Sequence, residues 1–253
     1  KQPTMPPGET RRLRGATLGI IGFGAIGRRV AERLAGWELH ILAYDPYASP
    51  DAASAMGVQL VSLEELLRLA DLITVHCPLT PDTHHLINDD TLGLVKPGCI
   101  LVNDSRGAVV DEAALVRALQ DGRLWSAGLD VTEQEPLPLD SPLRALDNVT
   151  LTPHVAAYSP QSRIDLYAEI CDVCAEVIQG RIPQTVVNRT VLGHLRPIPQ
   201  TQKGPWQLSP GTLGWAVRIR LRALAPPLRA AAYPPTFPQE RSCSQPPPLA
   251  AQR

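Results

Sequence analysis

Residues 18–46 read LGIIGFGAIGRRVAERLAGWELHILAYDP, and parsing this stretch sets the fold class. TLGII at 17–21 is a short, continuously apolar run of strand length. Gly22, Gly24 and Gly27 follow it at once, and beyond them Ile26, Val30 and Leu34 recur every fourth residue, along one helix face. LHILAY at 39–44 is a second buried strand, closed by Asp45, 18 residues past Gly27. Each glycine has a mechanical task. Gly22 permits the tight turn, Gly24 lets backbone approach a pyrophosphate, and Gly27 lets the helix pack against its strand. Ala25 and Ile26 open the helix whose unpaired N–H groups meet the anion. The Asp45 carboxylate accepts hydrogen bonds from ribose hydroxyls and repels a 2′-phosphate, which favours NAD over NADP. The plainer alternative is a glycine-rich turn without a ligand; strand, helix and acid in register argue against it.

Outward from this unit, apolar runs keep alternating with helical patterns. Ser62 and Glu65 in SLEELLRLA have capping-box spacing and mark a helix start. DLITVH at 71–76 and CILVN at 99–103 are further strands. Asp111 caps a helix with Leu115 and Leu119 on one face, and Gly122 stops it. WSAGLDV and VTLTPH are extended, and Ser159-Pro160 opens a last helix running to Gly180. Strands alternating with helices predict parallel pairing through right-handed crossovers, hence a doubly wound α/β sheet of Rossmann type. In such sheets ligands bind at the carboxyl ends of the strands.

Composition narrows the function classes. A formal net charge of −1 over 253 residues leaves the folded part no electrostatic footprint for nucleic acid or a membrane surface. No apolar run approaches the roughly 20 residues of a membrane span. Five cysteines, an odd number, do not suggest a disulfide framework and point to a reducing compartment, the cytoplasm. The average conceals a split: residues 197–253 hold 12 of the 26 prolines, seven Lys/Arg and one acid, Glu240. The expected organisation is a linker or remnant of a preceding domain over 1–14, a nucleotide-binding domain over 15–190 and a Pro/Arg-rich tail over 191–253. That tail reads either as disordered and basic or as non-native coding sequence; its arginines lack the interleaved aromatics of a nucleic-acid binder.

Three later stretches end strands on the same side of the sheet. NDSRG places Arg106 just beyond Asn103, GLDVTEQEP places Asp130 and Glu135 after another strand, and LTPHVAAYS places His154 after the last. Hydride transfer to a 2-oxo acid needs a cation to grip the carboxylate and a group that gives a proton to the developing alkoxide. A guanidinium suits the first task and an imidazole with a carboxylate beside it suits the second. Singly, Arg106 reads equally as a surface ion-pair partner, Glu135 as a turn acid and His154 as a capping residue. Their shared position downstream of the glycines argues for chemistry.

GFGAIG, YDP, HCPLTPDTHHLI, LVNDSRGAVVDEAALVRAL, GLDVTEQEP and LTPHVAAYS together resemble the D-isomer-specific 2-hydroxyacid dehydrogenases, over about residues 14–188. PHVAAYS and GRIPQTVVN look closest to the C-terminal-binding-protein-like and phosphoglycerate dehydrogenase branches. The resemblance implies reversible hydride exchange between NAD(H) and C2 of a D-2-hydroxy acid. Arg106 would contact the substrate, with His154 as acid–base group and Glu135 as its partner. Asp130 would hold the nicotinamide amide, helped by His76, Cys77 and Pro78 and by Asp104 and Ser105, with Ala156 also against the cofactor. Members of this kind pair as homodimers through the nucleotide domain. They also carry a substrate domain ahead of the glycines, largely missing from this sequence, so the chain is expected to bind NAD and turn over poorly alone. The alternative function is an NAD(H)-sensing scaffold without significant turnover, and retention of Arg106, Glu135 and His154 favours the enzyme.

Two motifs are discounted as metal sites. Cys171 and Cys174 form a lone CxxC on a stripe with Ile164, Tyr167 and Ile178, where cysteines act as small buried hydrophobes. If that stripe faces a domain that is missing, it stays exposed and favours association. His84-His85 reads as a solvated polar turn.

Overall fold

The computed structural model describes residues 12–194; the tail assigned to 191–253 therefore lies almost wholly outside the described residues. The chain divides into two compact units between Ala168 and Glu169. In the first, seven strands form one sheet: β1 (Thr17–Ile21), β2 (His40–Tyr44), β3 (Val58–Leu60), β4 (Leu72–Val75), β5 (Cys99–Asn103), β6 (Leu124–Leu129) and β7 (Val149–Leu151). Their order is β3-β2-β1-β4-β5-β6-β7 and every pair is parallel. The order reverses between β1 and β4, so the glycine turn that ends β1 lies at the switch point. The doubly wound expectation holds.

The connecting helices are α1 (Ala25–Leu34), α2 (Pro50–Ser54), α3 (Leu63–Leu69), α4 (Asp89–Leu92) and α5 (Glu112–Gln120). Predicted caps are in place: Ser62 Oγ accepts from Glu65 N at 3.2 Å, and Asp111 Oδ1 accepts from Ala114 N at 2.9 Å. Along β1 the side chains alternate between two cores. Leu18 and Ile20 join Ala31, Ile41 and Val58, whereas Ile21 joins Leu66, Ile73 and Leu101.

One expected face is corrected. Ile26 is 62% exposed, and α1 instead buries Gly27 and Ala31, with Val30 and Leu34 half-buried at their flanks. The small residues win because α1 sits too near β1 for anything larger. A Cβ on Gly27 would overlap the carbonyl oxygen of Gly22 and reach within 3.1 Å of Ile20 Cγ2. Gly22 itself has φ +91°, and a Cβ there would lie 2.5 Å from Cys77 N.

The last helix, α6 (Pro160–Ile178), spans the division between the two units, and Gly180 follows it at φ +74°. None of its residues is buried. The reading of Cys171 and Cys174 as buried hydrophobes is therefore corrected: Cys174 is exposed and Cys171 half-buried, while Ile164 and Ile178 are 67% and 76% exposed. Periodicity identifies an apolar face but not what covers it. Among the described residues no disulfide links Cys77, Cys99, Cys171 and Cys174, and no helix is long and apolar enough to cross a membrane.

Gly27→Ala is expected to lower the unfolding free energy by about 1–3 kcal/mol through overpacking, although alanine ordinarily gains about 1 kcal/mol over glycine inside a helix. Gly36→Ala, where a Cβ meets nothing within 4 Å, should be close to neutral. Urea unfolding of both variants beside the parent chain checks the pair.

Candidate active site

At the end of β1, Gly24 begins α1 without any side-chain cap, and a Cβ on Gly24 would enter open space. The first N–H groups of a ten-residue helix, at Ala25 to Gly27, thus face an unfilled surface beside a turn held by glycines. This fits a pyrophosphate. Asp45 is drawn to the same place: its Oδ2 accepts from Phe23 N and its Oδ1 from Tyr47 N, each at 2.8 Å. Each oxygen keeps one acceptor position for a ribose hydroxyl. Arg28, which sequence reasoning passed over, donates from Nε to the Phe23 carbonyl at 3.1 Å and lies 5.7 Å over the Phe23 ring. It sets a cation against the turn.

At the end of β4 the His76 ring is closed off, 3% exposed, with Nδ1 3.0 Å from Asp104 Oδ1 and Nε2 2.9 Å from Thr74 Oγ1. Its side chain serves the loop after β5 and offers no nitrogen to a ligand. Cys77 is buried, and burial pushes its thiol up, so it stays protonated. At the end of β5, the buried Asn103 amide takes Ser105 N and Ser105 Oγ on its oxygen and gives a bond to Arg106 O. The exposed Arg106 guanidinium donates to Ser105 O at 2.6 Å. Among the described residues it forms no ion pair.

Glu135 and His154, 19 residues apart, meet beyond β6 and β7. Glu135 Oε2 lies 2.8 Å from His154 Nδ1, and Glu135 Oε1 accepts from Thr132 N at 3.3 Å. Both side chains are half-exposed on a cleft of about 590 Å³ that Asp130, Thr132, Leu151 and Thr152 also line. With Nδ1 tied to the carboxylate, Nε2 has no protein partner among the described residues. His154 adopts φ +55°, a left-handed backbone unusual for a residue with a side chain.

The order and content of these strand ends match a known family model. The model is that of the D-isomer specific 2-hydroxyacid dehydrogenase NAD binding domain, and it covers residues 4–156. The chain belongs to this family. It is 44% identical to a glyoxylate reductase of Korarchaeum cryptofilum over 178 residues, 70% of this chain and 54% of that protein. It is 41% identical to a D-3-phosphoglycerate dehydrogenase of Methanocaldococcus jannaschii over 73% of this chain and 36% of that protein. A D-lactate dehydrogenase of Aquifex aeolicus, crystallised with NAD and lactic acid, superposes with a TM-score of 0.61 at 38% identity, covering 67% of this chain and 55% of that one. The chain thus spans about half, or less, of the length of these relatives.

Two features of this dehydrogenase domain were not legible in the sequence. Gly107 follows Arg106, and a Cβ there would overlap the Thr132 carbonyl, so it lets the Arg106 loop touch the loop that carries Glu135. His84 and His85 lie in a turn, His84 exposed and His85 about one-third exposed, but His85 also has partners. Its Nε2 lies 3.0 Å from Glu133 Oε1, and it stacks on His84 at 4.0 Å. Glu133 Oε1 also accepts from Glu112 N at 2.9 Å, so the Glu135 loop is fastened to the start of α5. Among the described residues no group of three or more His, Cys, Asp or Glu is disposed to hold a metal ion.

Burial alone would raise the Asp130 carboxyl, but the Thr152 hydroxyl, the N–H groups of Val155 and Ala156 and the nearby His154 bring it below the ordinary carboxylate value. A depressed folded value means stability that is present above the unfolded value, about 3.9, and is lost as pH falls through the lower folded one. The stability advantage of the parent chain over Asp130→Asn is therefore expected to be full at pH 6 and to shrink progressively below about pH 4. Urea titrations between pH 7 and 3 measure it.

Proposed function

We propose that this chain supplies the NAD-binding and acid–base half of a dehydrogenase that interconverts a small D-2-hydroxy acid and its 2-oxo acid. The observation that carries the reading is the hydrogen bond between Glu135 Oε2 and His154 Nδ1 at the cleft, which leaves Nε2 without a protein partner among the described residues. A module that only sensed the dinucleotide would need the glycines and Asp45 but no oriented imidazole.

The residues divide the work as follows. The N–H groups at the start of α1 receive the pyrophosphate, with Gly24 giving it room, and Asp45 receives the adenosine ribose. NAD held by these residues would supply the hydride acceptor for C2, and NADH the hydride donor in the reverse direction. In oxidation His154 Nε2 accepts the proton of the C2 hydroxyl as the C2–H bond breaks; in reduction it gives that proton back to the alkoxide oxygen. Glu135 holds the ring through Nδ1–H and stabilises the positive charge formed. Arg106, at the neighbouring strand end, is suited to grip the substrate carboxylate bidentately once its guanidinium leaves the Ser105 carbonyl. Asp130 and the segment from His76 to Pro78, with Asp104 and Ser105, frame the nicotinamide end; of these His76 acts through Asp104 rather than by its own ring. The named activities of the relatives, glyoxylate reductase, D-3-phosphoglycerate dehydrogenase and D-lactate dehydrogenase, support a small 2-oxo acid as substrate. A cytoplasmic homodimer is part of the same reading, and the free thiols of Cys77, Cys99, Cys171 and Cys174 fit a reducing compartment.

NADH fluorescence should change on titration with the 253-residue chain, and glyoxylate or pyruvate should be reduced at a slow but measurable rate. His154→Gln is expected to lower kcat at least about 100-fold while leaving the Kd for NADH within about twofold. Unaltered turnover in His154→Gln, or no NADH binding by the parent chain, would overturn the reading.

A further inference from the structure

We propose that Thr152 is a positioning residue for the proton transfer: its hydroxyl, acting through Asp130, fixes the backbone turn that presents the His154 ring to the cleft. The inference rests on the dehydrogenase reading above and assigns a task to a residue not counted among the site residues.

The geometry is a closed set of contacts. Thr152 Oγ1 donates to Asp130 Oδ1 at 2.5 Å, and the same oxygen accepts from Val155 N at 2.9 Å. Asp130 Oδ2 accepts from Ala156 N at 2.8 Å. The two chain segments are also laced by backbone, with Thr152 N on Leu129 O at 3.0 Å and His154 N on Asp130 O at 2.8 Å. His154 is thus the single left-handed residue in a turn whose next two amides converge on one carboxylate. Successive N–H groups around such a residue form a concavity for an anion, and here the anion is internal. The left-handed backbone at a histidine persists only if its surroundings over-determine it. Asp130 is 8% exposed, and these three donors meet its two carboxylate oxygens.

Thr152 is the one side-chain donor in the set. Without it, the Asp130 carboxylate keeps two amide partners but gains freedom to rotate about its terminal bond, and the turn loosens with it. Threonine also suits the place by stiffness: its branched Cβ restricts χ1, so the hydroxyl is aimed rather than searching. The His154 ring is then placed from two sides, through Glu135 at Nδ1 and through the Thr152–Asp130 turn at the backbone. Proton transfer is sensitive to such placement, since shifts of about 1 Å can cost 100-fold in rate.

Thr152→Val keeps the shape and removes the hydroxyl; Thr152→Ser restores it. In Thr152→Val we expect kcat for glyoxylate reduction to fall roughly tenfold with KM for glyoxylate changed less than about twofold. Hydrogen exchange should speed up at the Val155 and Ala156 amides and not in β1 or β5. The carboxyl carbon of Asp130, followed by NMR, should titrate at higher pH than in the parent chain, because a donor to its charged form is gone. Thr152→Ser should return all three readings toward the parent. Equal behaviour of the Val and Ser variants, or faster exchange spread over the whole sheet, would show a merely structural residue and overturn the proposal. Absence of turnover in the parent chain would count against the dehydrogenase reading alone, because exchange and the Asp130 titration still report on the turn.

Discussion

The separation between β1 and α1 sets the geometry of the whole carboxyl edge of the sheet. With hydrogen at Gly27 in place of a methyl, the helix lies against the Gly22 carbonyl, and its first N–H groups arrive at the switch point between β1 and β4. Gly22 contributes from the other side, since only a residue without Cβ lets the end of β4 pass so near. A larger residue at either place would push the helix start away from Asp45 and leave the carboxylate without Phe23 N. The dinucleotide site is in this sense a by-product of close packing: a sheet and a helix that touch through glycines leave an uncapped helix end and a strand-end acid side by side.

The chemical side chains are held differently, by loops fastened to one another. Asn103 closes the loop that carries Arg106, and Gly107 lets that loop rest on Thr132. Glu133 is bonded to α5 and to His85, which steadies the segment leading to Glu135. Asp130 gathers the turn around His154. Asn103 and Asp130 are buried in this lacing, and both have partners, as the low-polarity interior requires. The His154–Glu135 pair can remain half-exposed because the groups behind it are fixed.

The parts of the fold that were legible share a long apolar period or a specific cap. β1 and β5 fall on the residues expected, and Ser62, Asp111 and Ser159 cap the helices they were expected to cap. β3 and α4, with three and four residues, are too short for any period to show, and their existence depends on neighbours that pair with or cover them. Ile26 and the α6 stripe were misread for one reason: spacing tells which residues share a face, whereas exposure depends on what lies opposite. The partners of His76 and His85 are not legible in the sequence because they lie far along the chain, Asp104 in one case and Glu133 in the other.

Residue order alone determined the α/β class, the place of the dinucleotide turn and the identity of Glu135 and His154 as a candidate pair, because these depend on local periodicity, glycine spacing and residue chemistry. Only the tertiary structure decided that Glu135 and His154 touch while Arg106 stays on its own loop, that the His76 ring is closed to ligands, and that Thr152 and Asp130 hold a left-handed turn. Those outcomes rest on distances of a few ångströms between strand ends brought together by parallel crossovers. Spacing along a chain carries no record of such distances until the sheet has formed.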